Sequence, residues 1–504
     1  MRTPAILLAL AMPALLIGCN RQADTAAPAP GAASTPPPAQ APAPERAASL
    51  GGYTFERGYP TEATVQKAYD DADLARAITA YKFFYPTVSI LATWEGNVNA
   101  GLQPNTQMLL LQGRPEQTVF TPNSDTPYAG ANLDLSNGPI VVELPAGVIM
   151  GVINDLNQRY VTDLGLPGPD AGKGGRHLVL PPGYDKPVPS GYFVSRPATQ
   201  RALMLLRAIP PAGNDQAAID LLKQVKIHPL GAAAQPLTWI EQGDKHADFS
   251  PVSWERGLEY WKRLHSIIEA EPPFEGYRSH YGELAALGIA KGQPFSPDPR
   301  MSAILERAAQ LANDQMRVQS FADRRAERRP WADRQWEWAT LRPENGTFDT
   351  PAYTDLEARE KWFYQAQIES PAMFRRTPGA GSLYWLGTRD ATGAYLDGGK
   401  TYKLTVPLPV PAKLFWSVTV YDNQTRSEIA TEQDRAALRS MFEVKDATGT
   451  SVDLFFGPKA PAGEEAHWIQ TTPGQGWFVY FRVYGPETQA FNGQWKPSDF
   501  VEVK

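Results

Sequence analysis

The chain has 504 residues, with 48 Lys and Arg against 54 Asp and Glu; the net charge of -6 offers no basic field for nucleic acid. Cys19 is the only cysteine, so no disulfide and no Cys-based metal site can form within the chain.

At the N-terminus a single charge, Arg2, precedes an apolar run from Ala5 to Ile17 that is too short to span a bilayer and has the layout of a secretory signal. The tetrad Leu16-Ile17-Gly18-Cys19 resembles the lipobox of bacterial lipoproteins. That resemblance implies removal of residues 1–18, acylation of Cys19 and, with Asn20 next, an outer-membrane lipoprotein facing the periplasm. Residues 19–50 are almost all Ala, Pro, Ser, Thr and Gln. Lacking apolar side chains to offset ordering entropy, they read as a disordered, partly polyproline tether.

Beyond the tether the periodicity changes three times. From Thr61 the apolar residues of "TEATVQKAYDDADLARAITAYKFFYP" recur at helical spacing, and Pro86 is expected to stop the helix. From about Thr118, short β-branched runs such as "PIVVELP", "VIMGVIN" and "HLVLPPGY" predict antiparallel strands, and the Gly-rich "GPDAGKGGR" (168–176) a mobile loop. After Trp254 helices return at "WERGLEYWKRLHSIIEA", at "PRMSAILERAAQLANDQMRVQSFADRRAE" and over 355–367. The run "RRAERR" (324–329) reads as their solvated face, and the Trp-rich 329–341 as packing. From Gly381, "TYKLTVPLP", "KLFWSVTVYD", "SVDLFFG" and "GWFVYFRVYG" predict a second β domain.

The two β regions echo each other. Each reads Leu-Asp, turn, strand, Pro, strand, and then Asp-x-x-x-Arg: Asp155 with Arg159 in the first copy, Asp422 with Arg426 in the second. The expected fold is α+β, with two antiparallel, jelly-roll-like β-sandwich domains related by duplication and joined by helices. The segments are 51–250 (helices plus first β domain), 251–375 (helical linker) and 376–504 (second β domain).

The stretch "TPNSDTPYAGANLDLSNGPIVVELP" resembles the bacterial DUF1254 family. "WSVTVYD", "GEEAHWI" and "FRVYGPE" within 381–500 resemble DUF1214, its usual C-terminal companion. The resemblance implies paired β domains, often in oligomers, with no agreed activity. Two positions depart from the family pattern. Ser124 stands where an Arg is common, and His467 where an Asn is common before Trp, so that Arg's anion-binding role does not carry over.

No GxSxG, Walker A or HExxH motif is present, and the six histidines have no ligand-like spacing, so no metal and no particular cofactor is implied. The best polar constellation is Asp125, Tyr128, Asp155 and Arg159: two carboxylates, a phenol and a guanidinium able to bind a sugar or small acid, or to act as acid and base. The second domain offers Trp416, Asp422, Arg426, His467, Trp468 and Arg482. Two readings follow. One is a lipid-anchored envelope protein binding a small molecule, glycan or envelope partner; the other is a periplasm-facing hydrolase or lyase using the Asp125 to Arg159 carboxylates.

Overall fold

The computed structural model describes residues 51–111, 119–241, 254–339 and 347–503. The lipobox and the whole of the tether lie outside them. The chain divides into two units after Thr61. In the first, Phe55–Glu56 (β1) and Tyr59–Pro60 (β2) form a hairpin. Its turn residues Arg57 and Gly58 take φ of 50° and 86°, the left-handed pair that a two-residue hairpin requires.

The second unit opens with α1, Glu62–Asn99, which runs straight through Pro86 rather than stopping there. An interior proline loses one hydrogen bond and costs about 3 kcal/mol. Every residue from Phe83 to Ala92 is nevertheless buried, and this packing on all sides outweighs the local defect. The other helices are α2 (Asp215–Leu222), which packs on the first sandwich, α3 (Leu258–Ala270), α4 (Arg278–Ala286), α5 (Pro299–Phe321), α6 (Leu356–Gln365) and α7 (Pro371–Phe374). Of these, α3, α4, α5 and α6 contact α1 directly. Asp298 caps α5 on the Met301 N–H (2.7 Å), with Pro299 in the first turn, and Asp355 caps α6 on the Ala358 N–H (2.9 Å).

Because α5 ends at Phe321, "RRAERR" is not a solvated helix face. Arg325 pairs with Asp323 (2.9 Å) and Arg328 with Glu337 (3.0 Å), on either side of Lys361, whose buried ammonium meets both carboxylates. Trp331, Trp336 and Trp338 are buried and pack among other aromatics.

The β regions are two sandwiches. The first comprises β3 (Gln107–Leu111), β4 (Tyr128–Asp134), β5 (Ile140–Leu144), β6 (Ile149–Asp155), β7 (Tyr160–Gly165), β8 (Gly175–Val179), β9 (Phe193–Ser195), β10 (Arg201–Ala208) and β11 (Lys226–Pro229), with β12 (Thr238–Glu241) added at an edge. The second comprises β13 (Glu337–Trp338), β14 (Ser382–Gly387), β15 (Thr401–Pro407), β16 (Ala412–Asp422), β17 (Ala437–Arg439), β18 (Ser451–Gly457), β19 (Trp468–Gln470), β20 (Trp477–Pro486) and β21 (Val501–Val503). The larger sheets run β12-β3-β4-β10-β6-β7 and β13-β14-β20-β16-β17; the smaller run β11-β5-β8-β9 and β19-β18-β15-β21.

Adding ten to a strand number in the first sandwich gives its counterpart in the second. Every neighbour relation is reproduced, including the one parallel pair in each smaller sheet, β8 with β9 and β18 with β19. This correspondence of nine strands carries the duplication much further than the sequence echo. It also draws β13 out of the expected helical linker and into the second sandwich.

The loop 168–176 is packed rather than free: Asp170 is buried, accepts the Gly165 N–H (2.8 Å) and lies 3.2 Å from His177. A side chain at Gly174, where φ is 76°, would strike the backbone at Ala146 and Leu144.

Alternation along the strands gives each larger sheet two faces. In the first, Ala129, Ala131, Ala202, Met204 and Leu206 point into the sandwich core. Tyr128, Gly130, Leu203, Leu205 and Arg207 belong to the opposite face. In the second sheet the same alternation separates core residues Leu383, Trp385, Val418, Phe481 and Val483 from Ser382, Tyr384, Ser417, Thr419, Tyr480, Arg482 and Tyr484. Those outward polar and aromatic residues are buried as well. The outer faces of the two sheets, with α1, enclose a space between the sandwiches.

Candidate functional site: a cavity between the sandwiches

That space is a cavity of about 220 Å³. One wall is the outer face of the first large sheet, where the register aligns Tyr128, Arg207 and Met150 in one row and Gly130, Leu205, Val152 and Asp163 in the next. The facing wall is built from Ser382, Tyr384, Tyr480 and Arg482, and the side from Ile90 and Thr93 of α1 with 366–373. Gly130 leaves its part of the wall bare: a Cβ there would approach only Leu111, at 3.9 Å.

Two guanidiniums dominate this largely apolar enclosure. Arg207 donates to the Tyr128 hydroxyl (3.3 Å), and its guanidinium lies over the ring of Tyr484 at 4.7 Å. Arg482 donates to Thr419 Oγ1 (3.0 Å) and to the Thr121 carbonyl (3.2 Å). Both are almost fully buried, and neither forms an ion pair among the described residues. Arginine keeps its charge under burial, so both sites carry a positive charge that is only partly compensated. Asp125 supplies fixed compensation from behind the wall, held there by Ser417 Oγ (2.6 Å) and the Tyr484 hydroxyl (3.1 Å), with its other oxygen unbonded.

At the far end of the sheet row is Asp163, which accepts a hydrogen bond from Ser370 Oγ (2.6 Å). Burial pushes its carboxyl up to about 6, against the opposing pull of Ser370, Tyr160 and Arg375.

The structure brings some of the candidates from the sequence together and separates others. Tyr128 and Arg482 line the cavity, and Asp125 stands behind it. Asp155 and Arg159 do not reach it. Asp155 pairs with Ala202 whereas Tyr128 pairs with Arg207, five residues further along β10, or about 17 Å at ~3.4 Å per residue. The combined cleft of Asp125, Tyr128 and Asp155 therefore does not form. Asp155 instead closes its own turn, accepting the N–H groups of Asn157 (2.9 Å) and Arg159 (3.0 Å). Asp422 does the same for Gln424 and Thr425, both at 2.8 Å.

The two arginines of the echo are not equivalent. Arg159 is partly exposed, over the ring of Phe274 and 3.9 Å from Asp155. Arg426 is buried and pairs with Glu255. The left-handed turn residue is Gln158 (φ 51°) in the first copy and Arg426 (φ 59°) in the second. In the second domain Trp416 packs on Phe481 within the core, Trp468 donates to the Gly457 carbonyl (2.9 Å), and His467 is half-buried in a short turn beside it. Among the described residues no group of three or more potential ligands gathers for a metal.

Sequence reasoning passed over Arg207, Asp163, Tyr384 and Tyr480. The usable signal was a charge in alternate register within an otherwise apolar strand, in "RALMLLRA" as in "WFVYFRVYGP".

Residues 105–229 match the family model described as a protein of unknown function, DUF1254, and residues 381–488 match that of DUF1214, described in the same words. The chain carries both domains. The DUF1254 match spans all nine repeated strands of the first sandwich, from β3 to β11. The DUF1214 match spans β14 to β20. The cavity is thus walled by both domains. The fold is similar to that of the VPA0106 protein from Vibrio parahaemolyticus, with a TM-score of 0.54 and 15% identity over 86% of this chain and 100% of that one. An uncharacterized protein from Burkholderia cenocepacia aligns over 88% of this chain and 97% of its own, at 12% identity and a TM-score of 0.37. No curated protein matches the sequence.

Proposed function

We propose that this protein is a cell-envelope lipoprotein, tethered through Cys19, that binds a small and mainly apolar acid between its DUF1254 and DUF1214 domains. The observation that carries the binding reading is the pair of buried guanidiniums, Arg207 and Arg482, lining an apolar cavity without an ion-pair partner among the described residues. Burying a charge is costly unless it is paired. A carboxylate entering the cavity supplies that pair in a low-dielectric setting. The volume, about 220 Å³, lies below the roughly 300–1,000 Å³ common for drug-sized ligands and suits a short-chain acid.

The test is calorimetric titration of the purified full chain with hexanoate at pH 7.5. Arg207→Gln and Arg482→Gln should each weaken binding by roughly 10- to 100-fold, the value of about 1.5–3 kcal/mol for a hydrogen bond to a charged group. Gly130→Leu, which fills the bare wall while leaving both charges in place, should abolish binding. Absence of saturable binding in the native chain, or affinities indifferent to these substitutions, would refute the reading.

The anchor has its own test. In cells, the Cys19→Ala chain should move from the membrane to the soluble fraction, because no described helix is long and apolar enough to cross a bilayer. Complete retention of this variant in the membrane fraction would rule out lipid as the main tether.

A further inference from the structure

We infer that the ligand is two-ended: an acid whose carboxylate meets Arg207 and Arg482 and whose opposite end carries a hydrogen-bond-donating group, a hydroxyl above all, received by Asp163. This rests on the binding reading above and extends it from an anion to a class of ω-substituted acids.

The argument is the pattern of polarity along the cavity wall. From Arg207 the register passes through Met150 to Gly165, and Asp163 lies two residues back on β7. Two strand spacings of about 4.8 Å and two residues of rise separate the backbone positions of Arg207 and Asp163 by roughly 12 Å. Between them the sheet face is Leu205, Val152 and Met150, all apolar, while Thr93 and Gln367 stand at the side and Ser382, Tyr384 and Tyr480 on the facing wall. A charge at one end, an acceptor at the other and an apolar span between them describe the complement of a molecule with the same order of groups.

Asp163 is not there to neutralise the arginines. It ends the neighbouring row, two strands away, and its carboxylate bonds Tyr160 and Ser370, the latter also capping α7 through the Ala372 N–H (3.0 Å). A buried carboxylate with two hydroxyl partners, Ser370 and Tyr160, retains acceptor capacity, since an ionised carboxylate offers about four lone-pair sites. Asp163 lines the cavity. A chain of about six carbons is of the order of that backbone separation.

Calorimetry on the full chain at pH 7.5 would compare hexanoate with 6-hydroxyhexanoate, in the native protein and in Asp163→Leu, with Asp163→Asn as the second variant should the first fail to fold. The native chain should prefer the hydroxy acid by about tenfold or more. Asp163→Leu should bring that preference close to one, and Asp163→Asn should cut it by at least half, because a neutral acceptor makes the weaker bond. Equal binding of the two acids by the native chain would overturn this inference and leave the arginine reading standing. A preference that survives both variants would overturn it too, by removing Asp163 as the receiver. If neither acid binds the native chain, the arginine reading fails, and the two-ended ligand fails with it.

Discussion

Arg426→Met is expected to destabilise the chain by roughly 3–5 kcal/mol, the usual cost of leaving one partner of a buried ion pair behind. Arg426 and Glu255 are both buried, and their ion pair is shared with the Tyr85 hydroxyl, which also bonds Glu255. The guanidinium further donates to the Tyr364 hydroxyl (3.3 Å) and the Gln424 carbonyl (2.9 Å) and lies over the rings of Phe120 and Tyr364. One side chain of the DUF1214 domain thereby ties α1, α6, the segment before α3 and the approach to β4. The Arg426 carbonyl also accepts the Thr121 N–H at 2.7 Å, and the neighbouring Phe120, Thr121 and Pro122 line the cavity. Urea denaturation of the single variant and of Arg426→Met with Glu255→Gln gives the check. The double variant should recover part of the loss because it no longer buries an unpaired carboxylate. A loss under about 1 kcal/mol, or a double variant no better than the single one, would show that the pair does not hold this junction.

The strand pattern was legible because each sandwich buries one face of its larger sheet in its own core, so apolar residues recur with period two on β4, β6, β16 and β20. The Asp-x-x-x-Arg echo likewise marked a real repeat, the turn after β6 and β16, through the aspartates that cap it. Its arginines misled, since the repeated feature is a left-handed buried position filled by Gln158 in one copy and Arg426 in the other. Gln158 serves its site without charge, bonding the Pro86 carbonyl and the Ile368 N–H.

Two features escaped for one reason: both depend on contacts between residues distant in sequence. Pro86 carries a strong local stop signal, and only the burial of α1 on every side overrides it. The polar outer faces of β14, β16 and β20 carry the alternation of a solvated sheet, and only docking of the two sandwiches buries them. Tyr128 and Arg482 could be named as candidates from their residue type and neighbours. Their meeting with Arg207 and Asp163 required the pairing of β4, β10, β6 and β7 and then the apposition of a second sandwich, neither of which leaves a local mark.

Glu369→Gln is expected to stabilise the chain at pH 8 and to change little at pH 5. Burial is the main cause that pushes the Glu369 carboxyl up from 4.5 to about 8; Arg359 opposes the shift, while Asp155 and Asp349 add to it and Arg159 opposes it more weakly. The backbone around it is fixed by the same turn that the echo identified, since Asn154 bonds the Glu369 N–H (2.9 Å) and its carbonyl (2.9 Å). The carboxyl therefore cannot withdraw to solvent without undoing that seat. Between pH 4.5 and 8 the unfolded chain releases this proton while the folded chain retains it, so the folded state binds more protons and its stability falls as pH rises through the window. At about 1.4 kcal/mol per pH unit the full effect is a few kcal/mol. Glutamine keeps the shape and removes the titration. Asp163 and Glu428, pushed up by burial to about 6 and about 7, add slopes of the same sign that remain in both proteins. The informative quantity is therefore the difference between native and variant melting temperatures at pH 5, 6.5 and 8. That difference should grow with pH to several degrees in favour of the variant. A difference that stays constant across the three values would mean that Glu369 is already ionised in the folded chain, and that Arg359, not a retained proton, offsets the cost of its burial.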